Sequence, residues 1–181
     1  MEHDDHVALI RDGVARQPSI WADLGSGHGA FTLALADLLG PGASILSLDR
    51  DARALRSQER EMAARFPEVD LVTYALDYTR MLPDDFTMLD GIIAANALHF
   101  QTEHARHRVL RRLFEGLKPG GTLIVVEYNT DRGNRWVPYP FSFTTWQRSA
   151  SAAGFVGTRL LKVRPSRFLG EIYSSACEKP R

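Results

Sequence analysis

The stretch Ser19-Ile20-Trp21-Ala22-Asp23-Leu24-Gly25-Ser26-Gly27-His28-Gly29 joins a short β-rich run to three glycines spaced two apart, and a helical pattern opens at Ala30. Glycine here solves a steric problem: a chain that turns sharply and lets a ligand lie against its backbone has no room for Cβ atoms, and such turns need positive φ. The helix beginning near Ala30 aims its free N–H groups and positive dipole end at the same spot, which favours a ligand carboxylate or phosphate. A nucleoside-sized ligand is implied. Residues 25–30 also satisfy the dinucleotide pattern G-x-G-x-x-A, so the loop by itself leaves two cofactor classes open.

The next apolar run, 44–49 (SILSLD), ends on Asp49, which lies 20 residues beyond Gly29. In a right-handed βαβ unit that spacing sets a carboxylate beside the glycine turn, where it can accept hydrogen bonds from both hydroxyls of a ribose. A third acid, Asp77, follows the third run, 70–74 (DLVTY). With Asp23 two residues before the loop, three carboxylates line the expected site. They suit a cofactor with one adenosine and a cationic amino-acid tail, and they would repel a pyrophosphate. The Tyr-x-x-x-Lys pair of a short oxidoreductase is also missing.

Further runs at 89–95 (LDGIIAA), 122–128 (TLIVVEY), 157–164 (GTRLLKVR) and 168–177 (FLGEIYSSAC) complete the strand candidates. Between them, Phe31, Leu35, Leu38 and Leu39 recur at helical spacing before Gly40-Pro41-Gly42. Val109, Leu110, Leu113, Phe114 and Leu117 repeat the pattern before Lys118-Pro119-Gly120-Gly121. A helix over 144–153 closes at Gly154, and Val7, Ile10 and Val14 predict one amphipathic helix ahead of the first strand. The last two runs are separated only by Pro165-Ser166-Arg167, so they pair antiparallel, because a parallel return needs a crossover of about a dozen residues. The expected fold is α/β, a Rossmann-like doubly wound sheet of about seven strands, mostly parallel, with an antiparallel last strand.

The 181 residues carry 22 Lys+Arg against 22 Asp+Glu, which argues against a broad basic surface for nucleic acid. At this length, with no internal repeat or linker, a single domain over 1–181 is expected. The acidic start, MEHDDHVALIRDG, is unlike a signal peptide, and no apolar run approaches the roughly 18 residues of a membrane helix, so the cytoplasm is the expected location. One cysteine, Cys177, cannot close an internal disulfide, and no Glu-x-x-His or His-x-x-x-His pair is present, so no metal is expected.

Taken together, WADLGSGHGAF at 21–31, LSLDRD at 46–51, ALDY at 75–78, DGIIAANALHF at 90–100 and LKPGGTLIVVEYN at 117–129 resemble the class I S-adenosylmethionine-dependent methyltransferases, specifically their small-molecule domains. The resemblance implies S-adenosylmethionine as cofactor, S-adenosylhomocysteine as product and a small-molecule acceptor. It implies that Gly25, Gly27 and Gly29 back the methionyl and ribosyl part, with Asp23 near the amino end, and that Asp49 takes the ribose hydroxyls. Asp77 and the Tyr78 backbone would meet the adenine, flanked by Arg50 and Leu76, and the backbone around Ala95 and Asn96 would meet the methionyl ammonium. Two alternatives stay beside this reading: a short NAD(P)-dependent oxidoreductase, and a cofactor-binding regulatory module without transfer activity.

His99, just past the fourth strand, is the candidate base, because the crevice of such sheets lies beyond the carboxyl ends of the strands and an imidazole is suited to the task. Packing or loop ordering is the competing role. The loop 129–143, with two prolines and several aromatics, is the expected substrate wall, with Tyr128, Asn129, Trp136 and Tyr139 as candidates. Many relatives carry a longer helical cap ahead of the glycine loop. Enclosure is therefore left to the short segment 1–18, to 129–143, or to a second subunit in a dimer.

Overall fold

A computed structural model describes residues 1–15, 19–166 and 168–181. Seven strands form one sheet: β1 (Ile20–Leu24), β2 (Ser44–Asp49), β3 (Asp70–Ala75), β4 (Leu89–Ala95), β5 (Leu117–Tyr128), β6 (Val156–Ser166) and β7 (Gly170–Glu178). Their spatial order is β3-β2-β1-β4-β5-β7-β6. The β1, β2, β3, β4 and β5 pairings are parallel, while β7 runs antiparallel between β5 and β6. The doubly wound, mixed sheet expected above is observed. The order reverses between β1 and β4, which opens a crevice at their carboxyl ends.

Helices α1 (His3–Ile10) and α2 (Ala30–Leu39) cover one face, and α4 (Glu103–Gly116) and α5 (Phe143–Ala152) cover the other. Strand alternation divides the core accordingly. Ile92, Ala94, Leu123 and Val125 pack with Leu110, Leu113 and Trp146, whereas Ile93, Ile124 and Val126 pack with Leu9, Ile10 and Leu35. Polar caps start three of the helices. Asp51 accepts from the Arg53 and Ala54 amides at the start of α3 (Ala52–Arg65), Thr102 from Ala105 at α4, and Ser142 from Thr145 at α5.

Two boundaries differ from expectation. The N-terminal helix stops at Ile10, passes through a 3-10 turn at Arg11–Gly13, and Val14 is extended instead of helical. Gly13 lies so close to the sheet that a Cβ would come within 2.7 Å of Ile124 Cδ1. Residues 16–18, part of the expected lid, lie outside the described residues, as does Arg167 in the β6–β7 connection. The Lys118-Pro119-Gly120-Gly121 segment, expected as a turn, belongs to β5. The Gly120 amide donates to Lys179 O and the Lys179 amide donates back to Gly121 O, which extends pairing beyond the end of β7.

Candidate functional site

Beyond β1 the chain turns through Gly25, Gly27 and Gly29, with φ of +67°, +54° and +85°. Each glycine has a separate reason. A Cβ at Gly25 would meet the Ala97 Cβ at 2.9 Å, and one at Gly29 would meet the Gln58 side chain at 2.5 Å. At Gly27 it would meet nothing within 4 Å. Gly27 therefore turns an unobstructed face to a cleft of about 530 Å³.

That cleft gathers most of the predicted cofactor residues: Gly25, Gly27, Asp49, Arg50, Leu76, Asp77, Tyr78 and Asn96 all line it. Asp49 holds the loop as well as facing the cleft. Its Oδ2 accepts from the Gly27 amide at 2.8 Å and its Oδ1 from the Asp51 amide at 2.8 Å. Each oxygen keeps a further lone pair for a ligand hydroxyl. Asp77 Oδ1 is taken by the Thr79 amide and hydroxyl, which hold its carboxyl below the usual range. The Tyr78 hydroxyl donates to Ala97 O at 2.8 Å, pinning the β3 exit to the β4 exit across the cleft, and burial raises its pKa.

Asp23, Gly29 and Ala95 do not line the cleft. Asp23 lies beneath the loop, 1% exposed, where its Oδ2 accepts from the Thr32 hydroxyl at 2.6 Å. Gln58 donates to Thr32 and also receives the Ser47 hydroxyl, so a buried polar chain runs from Asp23 to Ser47 under the glycines. Gln58 and Thr32 were not among the sequence candidates. Their signal, polar side chains at core positions of α3 and α2, is visible only once the helix faces are known.

Burial pushes the Asp23 carboxyl up from 3.8 to about 7, reinforced by Asp49 and opposed by the Thr32 hydrogen bond. The folded chain thus holds this proton more tightly than the unfolded chain does. The contribution to stability is complete below about pH 4 and is lost as pH rises to about 7, up to about 4 kcal/mol. Asp23→Asn keeps an acceptor for Thr32 and removes the titration. Between pH 4.5 and 8, urea denaturation should show the variant gaining about 2–4 kcal/mol relative to the parent. Parallel pH profiles of the two proteins would contradict a buried, titrating Asp23.

His99, the candidate base, is 3% exposed and lines neither the cleft nor the cavity beside it. Its Nδ1 lies 2.7 Å from Glu127 Oε2, and Glu127 Oε1 accepts from the Leu98 and His99 amides. Glu127, fully buried in β5, thereby fastens the turn after β4. It was overlooked in the sequence, although a lone acid in the apolar run IVVEY is a usable signal.

The aromatic loop does not form the cleft wall expected of it. The Asn129 carboxamide is occupied at both ends, by Glu171 and by the Phe143 amide. Trp136 and Tyr139 are 69% and 46% exposed and line neither cavity. Val137 and Phe141 carry the buried side of the loop, and Arg106 secures it by donating to Tyr139 O while stacking on Phe141 at 4.1 Å. Of the four substrate-side candidates, only Tyr128 lines a cavity next to the cleft.

The model of a methyltransferase domain family matches residues 22–121, from β1 into β5. The chain belongs to this family. Its fold is that of the class I S-adenosylmethionine-dependent methyltransferases, which sets aside the oxidoreductase alternative. Over 107 residues the methyltransferase domain is 32% identical to the ubiquinone/menaquinone biosynthesis C-methyltransferase UbiE of Pasteurella multocida (strain Pm70), covering 59% of this chain and 39% of that protein. Over 115 residues it is 25% identical to a carboxy-S-adenosyl-L-methionine synthase of Shewanella frigidimarina (strain NCIMB 400), covering 63% and 46%. The chain thus spans less than half the length of these curated relatives. A solved 1,6-didemethyltoxoflavin-N1-methyltransferase of Burkholderia thailandensis shares the fold, with a TM-score of 0.73 at 21% identity over 99% of this chain and 78% of that one.

The cleft of the methyltransferase domain fits this cofactor on its own terms. Gly27 leaves open a space that a Cβ would fill, and Asp49 and Asp77 present carboxylates at two points along it. No described helix is long and apolar enough to cross a membrane.

Proposed function

We propose that this methyltransferase domain transfers a methyl group from S-adenosylmethionine to a small-molecule acceptor. The observation that carries the reading is the cleft at the switch point between β1 and β4, where an open glycine face and separated carboxylates coincide within the segment matched by the family model. The names of the relatives support a small acceptor: one acts in quinone biosynthesis and one on a toxoflavin precursor. When bound, the cofactor supplies an electrophilic methyl on a cationic sulfur.

The chain itself binds, orients and excludes water. Asp49 accepts the ribose hydroxyls while holding Gly27 in place, and Asp77, Leu76 and Arg50 bound the adenine end. Gly25 and Gly27 give close backbone approach. Asp23 acts from below the loop, through Thr32 and the start of α2, and does not touch the cofactor. His99 is assigned to ordering the turn after β4, since Glu127 holds its ring and it lines neither cavity. In-line displacement then rests chiefly on positioning and desolvation.

Calorimetry with S-adenosylhomocysteine, followed by radiolabel transfer from S-adenosylmethionine into a metabolite extract, tests the reading. Binding and a labelled small molecule are the expected results. Absence of binding would reject the cofactor assignment, and binding without any labelled acceptor would favour the regulatory-module alternative.

A further inference from the structure

The buried row of α3 consists of Ala54, Leu55, Gln58 and Met62, so one amide stands where packing alone would take an apolar side chain. Gln58 is fully buried and both ends of its amide are used: Oε1 accepts the Ser47 hydroxyl of β2 at 2.8 Å, and Nε2 donates to Thr32 Oγ1 of α2. From Ser47 the polar contacts continue into the glycine loop, where the Ser26 hydroxyl lies 2.7 Å away. Gln58 also touches the loop directly. The Gly29 backbone rests so close to it that a Cβ there would come within 2.8 Å of Nε2. Ser47 and Asp49, two apart on β2, thus hold the neighbouring loop residues Ser26 and Gly27, while Gln58 backs Ser26 through Ser47 and Gly29 by contact. Gln58 itself does not line the cleft.

Building on the methyl-transfer reading, we infer that Gln58 is a positioning residue for the cofactor: it holds the glycine loop in its binding shape in the free chain, so that S-adenosylmethionine meets a loop already ordered. Glycine loses more backbone freedom on ordering than any other residue, and three of the five residues 25–29 are glycines with positive φ. A loop of this kind is costly to fix, and a ligand that had to fix it would bind more weakly; restraints formed on folding remove that cost from binding. Three restraints converge on the loop: Asp49 on Gly27, Ser47 on Ser26 and Gln58 on Gly29. Two of them depend on Gln58. Its hydrogen bonds add little to the stability of the core by comparison, because an apolar side chain of like length would fill the same row. The hydroxyls on either side would keep other partners, Thr32 with Asp23 and Ser47 with Ser26.

Gln58→Met keeps the length of the side chain and removes its hydrogen bonds. In the full chain without ligand, the Gly27 and Gly29 amides, which donate to Asp49 Oδ2 and Ser26 O, are expected to exchange hydrogen about tenfold faster than in the parent, the scale of one lost hydrogen bond. Saturation with S-adenosylhomocysteine should bring them back to the rate of the liganded parent. Affinity for S-adenosylhomocysteine, by calorimetry, should fall about tenfold while the denaturation midpoint stays close to that of the parent. Met62→Ala, one turn further along the same buried row, controls for stability: its midpoint should drop while loop exchange and affinity stay at parent values. Ser47→Ala cuts the link to Ser26 and leaves the Gln58–Thr32 bond, so it should show the faster exchange in smaller measure, and it decides the matter should Gln58→Met fail to fold. Parent-like exchange and affinity in Gln58→Met, or in Ser47→Ala where the former does not fold, would overturn the positioning role. An affinity loss that Met62→Ala reproduces would overturn it too, by reducing the effect to stability. If the parent itself fails to bind S-adenosylhomocysteine, the methyl-transfer reading fails, while exchange in the free chain still decides whether Gln58 orders the loop. If the parent binds and Gln58→Met binds equally well, only the positioning role fails.

Discussion

Asp49→Ala is expected to lower the affinity for S-adenosylhomocysteine by at least tenfold, measured by calorimetry, with the circular dichroism spectrum unchanged. Two effects act together. The carboxylate would lose its hydrogen bonds to the ribose hydroxyls, each worth about 1.5–3 kcal/mol to a charged acceptor, while a tenfold change needs only about 1.4 kcal/mol. The Gly27 and Asp51 amides would also lose their acceptor, so the glycine turn would have to be ordered by the ligand itself. Asp49→Asn separates the two, because one side-chain oxygen remains to accept from Gly27 while the charge is removed. It should fall between the parent and the alanine variant. An alanine variant that binds within a few-fold of the parent would remove Asp49 from the ribose site.

The largest expected effect on stability comes from Glu127→Ala. This substitution leaves the Leu98 amide, the His99 amide and the His99 ring without their shared acceptor inside the core. Each stranded buried donor costs about 1–3 kcal/mol, so a loss of about 3 kcal/mol or more in chemical denaturation is expected. His99→Asn should cost less, because Glu127 keeps its two backbone donors. With an acceptor in hand, this variant should turn over at a near-normal rate with an unchanged pH profile. A drop in kcat of about 10²–10⁴ with a flattened acidic limb would instead establish His99 as a base.

The chain order of strands and helices was legible in the sequence because strand and helix periods differ and Gly-Pro punctuation marks their ends. Gly25, Gly27, Asp49 and Asp77 likewise come together at one cleft, since a βαβ unit converts sequence spacing into proximity at the strand ends. The depth of each acid was not legible. Asp23 and Asp49 read alike as acids at strand ends and share one face of the sheet, yet Asp23 stands level with Ser47, under Thr32 of α2, whereas Asp49 lies two residues beyond Ser47 at the end of β2, where the cleft opens; the register between the strands sets that difference.

The architecture and the place of the cleft therefore rest on local pattern and short-range spacing. What surrounds the cleft was set by long-range packing. Tyr128 meets Phe168 from 40 residues along the chain, and Asp5 meets Arg164 from 159 residues away, only because β7 returns antiparallel between β5 and β6 and carries their connection over the end of the crevice. The same packing turned Trp136 and Tyr139 outward: Arg106 and the buried Val137 and Phe141 hold the loop 129–143 against the α4 side of the sheet, a long-range preference that no local pattern encodes.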